Sequence, residues 1–287
     1  MAKTGKDFIF GEDFALYRKK NWEIVYQGVE GAYSNIAAGE IFPNSSLRQV
    51  DTFREAVLQV LEKKADFSVL PIENSSAGIV GETYGLLLEY PIYIIQEYFL
   101  PISHCLLGTK EARLSDIQEV YSHPQALMQC QEYLAAHGEW KQISLLNTAV
   151  SARKIQMENN PHYAAIASEL AAKLYGLKIL EREIHLNALN TTRFVVLSRE
   201  AFFCKNAGKL SLIIALNHKK GALYQALEIF AENGLNLLKI ESRPIPEKPF
   251  AYRFYIDFEG NMGHKEVQRA LGRLESETSF LKILGNY

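Results

Sequence analysis

The first 200 residues of this 287-residue chain repeat one pattern, which limits the folds that the chain can adopt. A short run rich in β-branched and aromatic residues is followed by a turn of Ser, Thr, Asn and Gly, and then by apolar residues at helical spacing. The runs that predict strands of this kind are 22–26, 67–72, 120–121, 143–146 and 163–167. Because strands that alternate with helices form a parallel sheet, we predict an α/β fold.

In such a sheet, the loops at the carboxyl ends of the strands converge on a crevice. The turns expected to meet there are Gly28–Ser34, Glu73–Gly78, Ser122–Gln125 and Asn147–Thr148. They bring helix N-termini, hydroxyls and amides, which suit a small anionic ligand. The glycine spacing is GxxG and the sequence has no Walker lysine, so we do not expect a nucleotide. Plain capping of the helices is the alternative interpretation of each turn.

A polar stretch, Asn190–Phe194, precedes the apolar run Val195–Leu197, which we predict to be a buried strand. The simpler interpretation is a strand-end turn with Arg193 at the surface. The functional one uses the threonine hydroxyls, which can donate or accept a proton, and the arginine fork, which fits a carboxylate. We expect the chain to enter a second lobe over 101–107 and to return over 177–189, which places the stretch at the hinge between two lobes.

Composition excludes several classes of function. The formal net charge is −2 and the pI about 6.4, so nothing in the charge favours nucleic acid or an anionic membrane as a partner. No apolar run approaches the roughly 18 residues that span a bilayer. Residues 1–21 lack the apolar core of a secretory signal. Three cysteines without a CxxC pair and seven histidines without metal-ligand spacing favour reduced thiols and no metal site, so we expect a cytoplasmic protein.

The pattern changes after residue 199. Residues 200–208 are predicted to be a linker. The following signals predict strands at 209–216, 237–241, 252–258 and 280–284, with one helix opened by Gly221 and a second around 267–274. The order βαββαβ is that of a ferredoxin-like unit.

Seven short motifs are spread in order along the chain from about Trp22. They are 28–34 (GVEGAYS), 71–75 (PIENS), 104–107 (HCLL), 122–125 (SHPQ), 192–194 (TRF), 221–223 (GAL) and 241–244 (ESRP). Together they resemble the motifs of prephenate dehydratase in the form with a C-terminal ACT regulatory domain.

The resemblance implies a fold and an activity. It implies an N-terminal arm over 1–21, a two-lobed catalytic region like a type II periplasmic binding protein over 22–200, and a ferredoxin-like βαββαβ ACT domain over 209–287. The lobes are expected at about 22–100 plus 185–200 and at about 101–184. The implied reaction turns prephenate into phenylpyruvate, water and CO2 in phenylalanine biosynthesis, without a cofactor. It further implies L-phenylalanine as feedback inhibitor at the ACT domain, and a homodimer or homotetramer joined through these domains.

The same resemblance directs attention to particular residues. TRF is the family's catalytic motif, and we hypothesise that Thr192 donates a proton or hydrogen bond to the departing hydroxyl. Arg193 is expected to clamp a carboxylate or fix the loop, and Glu73 to act as acid, base or hydrogen-bond anchor. The candidates for contact with the substrate are Ser34, Asn74, Ser75, Ser122, His123, Gln125, Thr148 and Phe194. The candidates for a phenylalanine pocket at a subunit interface are Gly221, Ala222, Leu223, Asn236, Leu237, Glu241, Ser242, Arg243 and Pro244.

Two other functions stay open at this point. An arogenate dehydratase performs the same chemistry on the amino-transferred substrate, and a non-catalytic amino-acid sensor has the same domain order. The 21 residues before the first predicted strand are too few for the chorismate mutase domain that the family sometimes carries, so a single activity is expected.

Overall fold

The computed structural model describes residues 9–11, 21–187, 189–217, 219–245 and 248–287. Within these residues the chain forms two compact units. The two-sheet unit comprises Asn21–Thr83 and Tyr98–Val195, and the C-terminal unit comprises Tyr84–Glu97 and Val196–Tyr287 together with residues 9–11. No helix in the described ranges is long and apolar enough to cross a membrane.

The strands and helices are numbered in chain order. The strands are β1 (Ile9–Gly11), β2 (Glu23–Gln27), β3 (Ser46–Val50), β4 (Phe67–Asn74), β5 (Gly78–Ile79), β6 (Tyr93–Pro101), β7 (Cys105–Gly108), β8 (Glu119–Ser122), β9 (Lys141–Ser144), β10 (Tyr163–Ala167), β11 (Lys178–Glu181), β12 (Thr191–Ser198), β13 (Phe202–Cys204), β14 (Lys209–Ala215), β15 (Leu237–Ile245), β16 (Lys248–Glu259) and β17 (Phe280–Asn286). The helices are α1 (Tyr33–Ile41), α2 (Phe53–Leu61), α3 (Gly81–Glu89), α4 (Pro124–Gln129), α5 (Gln131–Ala135), α6 (Thr148–Glu158), α7 (Glu169–Tyr175), α8 (Ala222–Glu232) and α9 (Lys265–Glu277).

The first sheet has the strand order β3-β2-β4-β12-β6, with β5 paired to β4. Strand β2 runs parallel to both β3 and β4, as the alternation of strands and helices predicts. Its central residues Ile24, Val25 and Tyr26 are buried, which is typical of a parallel strand covered on both faces.

The second sheet has the order β11-β7-β10-β8-β9. Strands β8, β9 and β10 are parallel, whereas β7 pairs antiparallel with both β10 and the edge strand β11, so this sheet is mixed rather than purely parallel. One buried cluster contains Leu106 and Ile166, and another contains Leu107 and Ala165. Because neighbouring residues of a strand point to opposite faces, both faces of this sheet are covered.

The predicted capping residues start the helices as expected. Thr52, Asn147 and Ser168 each accept a hydrogen bond from the backbone N–H three residues further on, at 3.0, 2.7 and 3.1 Å. Gly176 ends α7 with a left-handed conformation, φ 64°.

Two strand boundaries differ from the prediction and change the site. Strand β4 does not stop at Ile72 but continues to Asn74, and β12 begins at Thr191 rather than at Val195. The polar side chains therefore belong to strands inside the sheet, not to turns beyond it. The simpler interpretation, with Arg193 at the surface, is excluded, since only 6% of it is exposed.

The C-terminal unit has the predicted order β14-α8-β15-β16-α9-β17. Its strands lie in the order β17-β14-β16-β15 with antiparallel pairing, which is the ferredoxin-like arrangement. Strand β13, inside the predicted linker, and β1, inside the predicted arm, extend this sheet at the β17 side. The other arm residues, 1–8 and 12–20, lie outside the described part of the chain.

Candidate active site

A cavity of about 360 Å³ lies in the two-sheet unit, and it is lined by residues of the first sheet and by residues of loops and helices next to strands of the second sheet. Of the predicted residues, it is lined by Ser34, Asn74, His123, Gln125, Thr148, Thr192 and Phe194. The lining residues that the sequence did not single out as contacts are Gln27, Gly28, Ala32, Tyr33, Phe53, Pro71, Val80, Ile102, His104, Ala126, Gln129, Leu146 and Asn147. The volume falls within the range of roughly 300–1,000 Å³ typical of small-molecule sites.

Asn74 is the centre of the polar part of the cavity. Its side chain is buried, and Nδ2 donates to Thr192 Oγ1 at 2.9 Å and to Asn190 Oδ1 at 2.9 Å. Its Oδ1 accepts from the backbone N–H groups of Ser76 and Ala77 at 3.0 and 2.9 Å. Because Thr192 Oγ1 accepts this hydrogen bond, its own proton remains available for a ligand.

A second group of side chains continues the network from Asn190. Gln129 Oε1 accepts from Asn190 Nδ2 at 3.2 Å and lies 2.8 Å from His104 Nε2. His104 Nδ1 lies 3.0 Å from the hydroxyl of Tyr33. The cavity wall is thus one connected hydrogen-bonded array.

Burial controls the charge of the titratable groups in the wall. It lowers the pKa of His104 to about 4, although the hydrogen bond with Gln129 opposes this effect. It also lowers the pKa of His123 and raises the pKa of Tyr33 well above its usual value. None of the lining residues in the described ranges is a lysine or an arginine.

Helix α1 starts at the cavity, after a turn that needs glycine. Gly28 and Gly31 have φ values of 109° and 85°, which favour a residue without Cβ. A Cβ on Gly31 would approach the Cα of Ala171 to 3.3 Å. Neither Ala32 at the N-cap nor an acidic residue in the first turn satisfies the free N–H groups of α1, so this terminus is suited to an anion.

Glu73 and Arg193 do not line the cavity. Glu73 directly precedes Asn74 in β4, and Arg193 directly follows Thr192 in β12. Because successive side chains of a strand point to opposite faces, Glu73 and Arg193 lie on the face away from the cavity. Arg193 Nη1 lies 3.7 Å from Glu73 Oε2, so the two form an ion pair on the other face. This geometry favours the expectation that Arg193 fixes the loop over the expectation that it clamps a carboxylate. Neither Arg193 nor Glu73 lies where its side chain would touch a ligand in the cavity.

Ser75 and Ser122 also lie off the cavity and have structural partners. Ser75 Oγ accepts from the backbone N–H of Thr191 at 3.0 Å, which joins β12 to the chain just after β4. Ser122 is fully buried, and its Oγ donates to the carbonyl of Ile166 at 2.7 Å, which joins β8 to β10. Contact with a substrate is not supported for either.

Some of the missed residues carried a signal in the sequence. Gln129 follows Gln125 by four positions and therefore shares its helical face. Tyr33 and His104 stand in two of the motifs quoted above, where neighbouring residues drew the attention instead. Asn147 was predicted in a turn at the crevice but not as a contact, and it also caps α6.

The predicted effector residues lie in the C-terminal unit. Gly221 is the N-cap of α8 with φ 77°, and Ala222 and Leu223 form its first turn. Leu237 and the stretch Glu241–Pro244 belong to β15, and Asn236 precedes it. The cavity beside Ala222 measures only about 10 Å³, too small for an amino acid, so a pocket formed with a second subunit stays a prediction.

Comparisons with known proteins identify a family for this chain. The family model for prephenate dehydratase matches residues 24–202. The chain is 40% identical over 275 residues to arogenate dehydratase/prephenate dehydratase 2, chloroplastic, of Arabidopsis thaliana, which covers 92% of this chain and 72% of that protein.

Solved structures with the same fold include two with different descriptions. A prephenate dehydratase from Arthrobacter aurescens in complex with L-Phe superposes with a TM-score of 0.85 at 29% identity, over 92% of this chain and 89% of that one. GqqA, described as a novel type of quorum quenching acylase, superposes with a TM-score of 0.83 at 32% identity, over 91% and 96%.

Proposed function

The chain belongs to the prephenate dehydratase family, and from this we propose that it removes water and CO2 from prephenate to form phenylpyruvate. Membership of the family implies that the chain is a lyase and that it performs a dehydration in phenylalanine biosynthesis. Prephenate as the substrate, and L-phenylalanine as the effector, are our proposals.

One observation carries the proposal: the hydrogen bond from Asn74 Nδ2 to Thr192 Oγ1 at the wall of the cavity. A threonine hydroxyl is a weak acid. A donor on its oxygen stabilises negative charge there, so the Thr192 proton is more easily given to a departing hydroxide. In our proposal, this hydrogen bond is what lets a residue of ordinary acidity assist the loss of water.

The rest of the reaction needs little covalent chemistry. Aromatisation of the ring and escape of CO2 drive it, so the enzyme has to hold the substrate and keep its leaving carboxylate ionised. The N-terminus of α1 and the amide of Gln125 offer donors for the carboxylates. Phe194 and Ile102 supply apolar wall for the ring.

The direct test is the formation of phenylpyruvate from prephenate, followed in the ultraviolet. Arogenate dehydratase is the nearest alternative, because the Arabidopsis relative carries both names. Comparison of kcat/KM for prephenate and arogenate decides between them. No phenylpyruvate from prephenate at any enzyme concentration would contradict the proposal, and inactivity towards arogenate as well would favour a non-catalytic amino-acid sensor.

The described similarity of GqqA to this chain raises an acylase as a candidate of another class. Acyl transfer to a hydroxyl needs a base within hydrogen-bonding reach of the nucleophile. The partner of Thr192 Oγ1 is the amide of Asn74, which is a donor and not a base. The geometry therefore favours dehydration, and hydrolysis of an N-acyl amide by this enzyme would reverse that preference.

We also propose that L-phenylalanine binds the C-terminal unit at an interface between two copies of the chain. The Arthrobacter prephenate dehydratase was solved with L-Phe, which supports this ligand. Strand β15 is the edge of its sheet, and Leu238 and Ile240 are exposed there. An edge strand with apolar side chains is a surface that a second copy can cover.

A further inference from the structure

His104 lies at the end of a hydrogen-bond chain whose direction is set by the backbone. The N–H groups of Ser76 and Ala77 both donate to Asn74 Oδ1. A backbone N–H can only donate, so Asn74 must turn its Nδ2 towards Asn190 Oδ1 and Thr192 Oγ1.

The orientation of Asn74 in turn fixes the orientation of two further side-chain amides, those of Asn190 and Gln129. Asn190 accepts with Oδ1, so its Nδ2 donates to Gln129 Oε1 at 3.2 Å. Gln129 Nε2 points the other way, towards Asn74 Oδ1 at 3.4 Å. Because Gln129 Oε1 only accepts, the Nε2 of His104 at 2.8 Å carries a proton.

The second ring nitrogen of His104, Nδ1, faces the hydroxyl oxygen of Tyr33, which donates its own proton to a different acceptor. The hydroxyl of Tyr33 lies 2.6 Å from the carbonyl of Ser103 and 3.0 Å from His104 Nδ1. One proton cannot serve both contacts fully, and the shorter contact is to Ser103. Tyr33 is then an acceptor towards His104, and a proton on Nδ1 completes every hydrogen bond of the array.

Without a ligand, burial opposes this charged form. His104 is only 2% exposed, and burial is the main cause of its lowered pKa. The groups that face it are Tyr33 on α1, Gln129 on α4 and His185, whose Nδ1 accepts from the backbone N–H of His104 at 3.3 Å. The thiols of Cys105 and Cys130 lie near Tyr33, and at neutral pH none of these groups carries a negative charge.

Prephenate brings two negative charges into this wall, where the described lining residues contain no lysine or arginine. A nearby anion favours the charged form of a histidine and so raises its pKa. The hydrogen-bond acceptors for both ring N–H groups are already in place. The ligand therefore has to overcome only the cost of burial.

We propose that His104 takes up a proton from solvent when the dianionic substrate binds, and so supplies the positive charge of the cavity. This inference rests on the proposed function. His104 acts as a positioning residue: its charge attracts the substrate through space and holds Gln129, and no bond to the substrate forms or breaks at the ring.

The test is the pH dependence of kcat/KM for prephenate in the intact enzyme. Because the ligand binds together with a proton, kcat/KM should fall by up to about tenfold per pH unit as the pH rises from about 6 to about 8. His104→Gln keeps a polar side chain but cannot be charged, so its profile over this range should be flat and its value at the lower pH should be reduced. Circular dichroism checks that the variant is folded.

Two further variants keep the test decisive. His123→Asn removes the other histidine of the wall but preserves a helix cap, and it should retain the slope. Tyr33→Phe removes the acceptor for the proton on His104 Nδ1. The pH range over which kcat/KM of this variant falls should therefore end at a lower pH than in the native enzyme. This measurement tests the proposal even if His104→Gln does not fold.

The two ways of failing are distinguishable. Absence of phenylpyruvate from the native enzyme at every pH overturns the proposed function. Turnover with a flat profile, or a slope that persists in His104→Gln, overturns the proton uptake while the dehydratase stands.

Discussion

Among single residues, Thr192 carries the most specific prediction. Thr192→Ala removes the only proton that the hydroxyl can give to the departing group, and general acid assistance contributes about 10²–10⁴-fold. We expect kcat to fall by that order with KM little changed, whereas Thr192→Ser retains much of the activity. Thr191→Ala is the matched control, since the Thr191 hydroxyl donates to the carbonyl of Leu189 and is absent from the cavity wall. Near-normal turnover by Thr192→Ala would remove Thr192 from the mechanism.

We expect Arg193 to contribute to the stability of the fold rather than to contact the substrate. Arg193→Met leaves Glu73 without this partner, and because a third of the Glu73 side chain is exposed, water can compensate in part. We expect a loss of about 1–3 kcal/mol in the free energy of unfolding, below that for a fully buried pair. Urea denaturation measures it, with kcat determined at a temperature where the variant is folded. Unchanged stability with a large loss of kcat would instead support the direct role first predicted.

At this scale the sequence shows which residue types are available but not which atoms meet. Thr192 and Asn74 could be chosen because each stands in a polar stretch beside an apolar run. Their hydrogen bond joins positions 118 residues apart and depends on the pairing of β4 and β12 in one sheet. Glu73 and Arg193 were expected in polar turns because the strands beside them were predicted too short, and inside β4 and β12 they alternate with Asn74 and Thr192.

Among the elements, α3 is held by a side chain from another element. Lys282 of β17 donates to the carbonyls of Leu87, Leu88 and Tyr90 at 2.6, 3.2 and 2.7 Å, which lie at the C-terminal end of that helix. The last carbonyls of a helix have no partner within it, and a cation there is favourable. Lys282→Met should therefore lower the free energy of unfolding by about 1–3 kcal/mol at neutral pH. Lys265→Met, at an exposed lysine of α9, is the control.

The pH dependence of this element has a definite sign. Burial lowers the pKa of Lys282 to about 8 from its ordinary 10.5, so between these values the unfolded chain binds the proton more tightly. The contribution of Lys282 to the free energy of unfolding should rise with pH across this window. The difference in the free energy of unfolding between the native protein and Lys282→Met isolates this lysine from tyrosines that titrate in the same pH range. A difference that stays constant from about pH 8 to pH 10.5 would show that the pKa of Lys282 is not lowered.

The elements themselves were predicted well where their signals are local. The capped helices and β10 follow their patterns closely, because capping and apolar periodicity act within a few residues. Strands β3, β11 and β13 were missed, since they are short and largely polar or lie where a return segment or linker was expected. Such strands form because a neighbouring strand offers hydrogen-bonding groups, as β2 does for β3, and this information is not contained in the segment itself.

At the scale of the whole molecule, the described residues of one chain form a cavity of about 360 Å³ in the two-sheet unit, whereas the cavity beside Ala222, one of the predicted effector residues, measures only about 10 Å³. The predicted effector residues either open α8 or lie on and just before β15, the edge of its sheet. An edge strand has unpaired backbone groups, and a second copy that adds to it would also enclose space beside these residues. Oligomer formation and response to phenylalanine should therefore depend on the same strand.

The double variant Leu238→Lys and Ile240→Lys tests this dependence, because it places two charges on the apolar side of β15 where both residues are 44% exposed. We expect light scattering after gel filtration to show a dimer or tetramer for the native protein and a monomer for the variant. Inhibition by phenylalanine should be lost together with the oligomer, while activity without phenylalanine stays within a few-fold, since neither residue lines the catalytic cavity. Met157→Lys changes an equally apolar, 74% exposed residue on α6 and should alter neither property. If the double variant keeps the native mass and remains inhibited, β15 is not the interface, and the effector pocket has to be sought within a single chain.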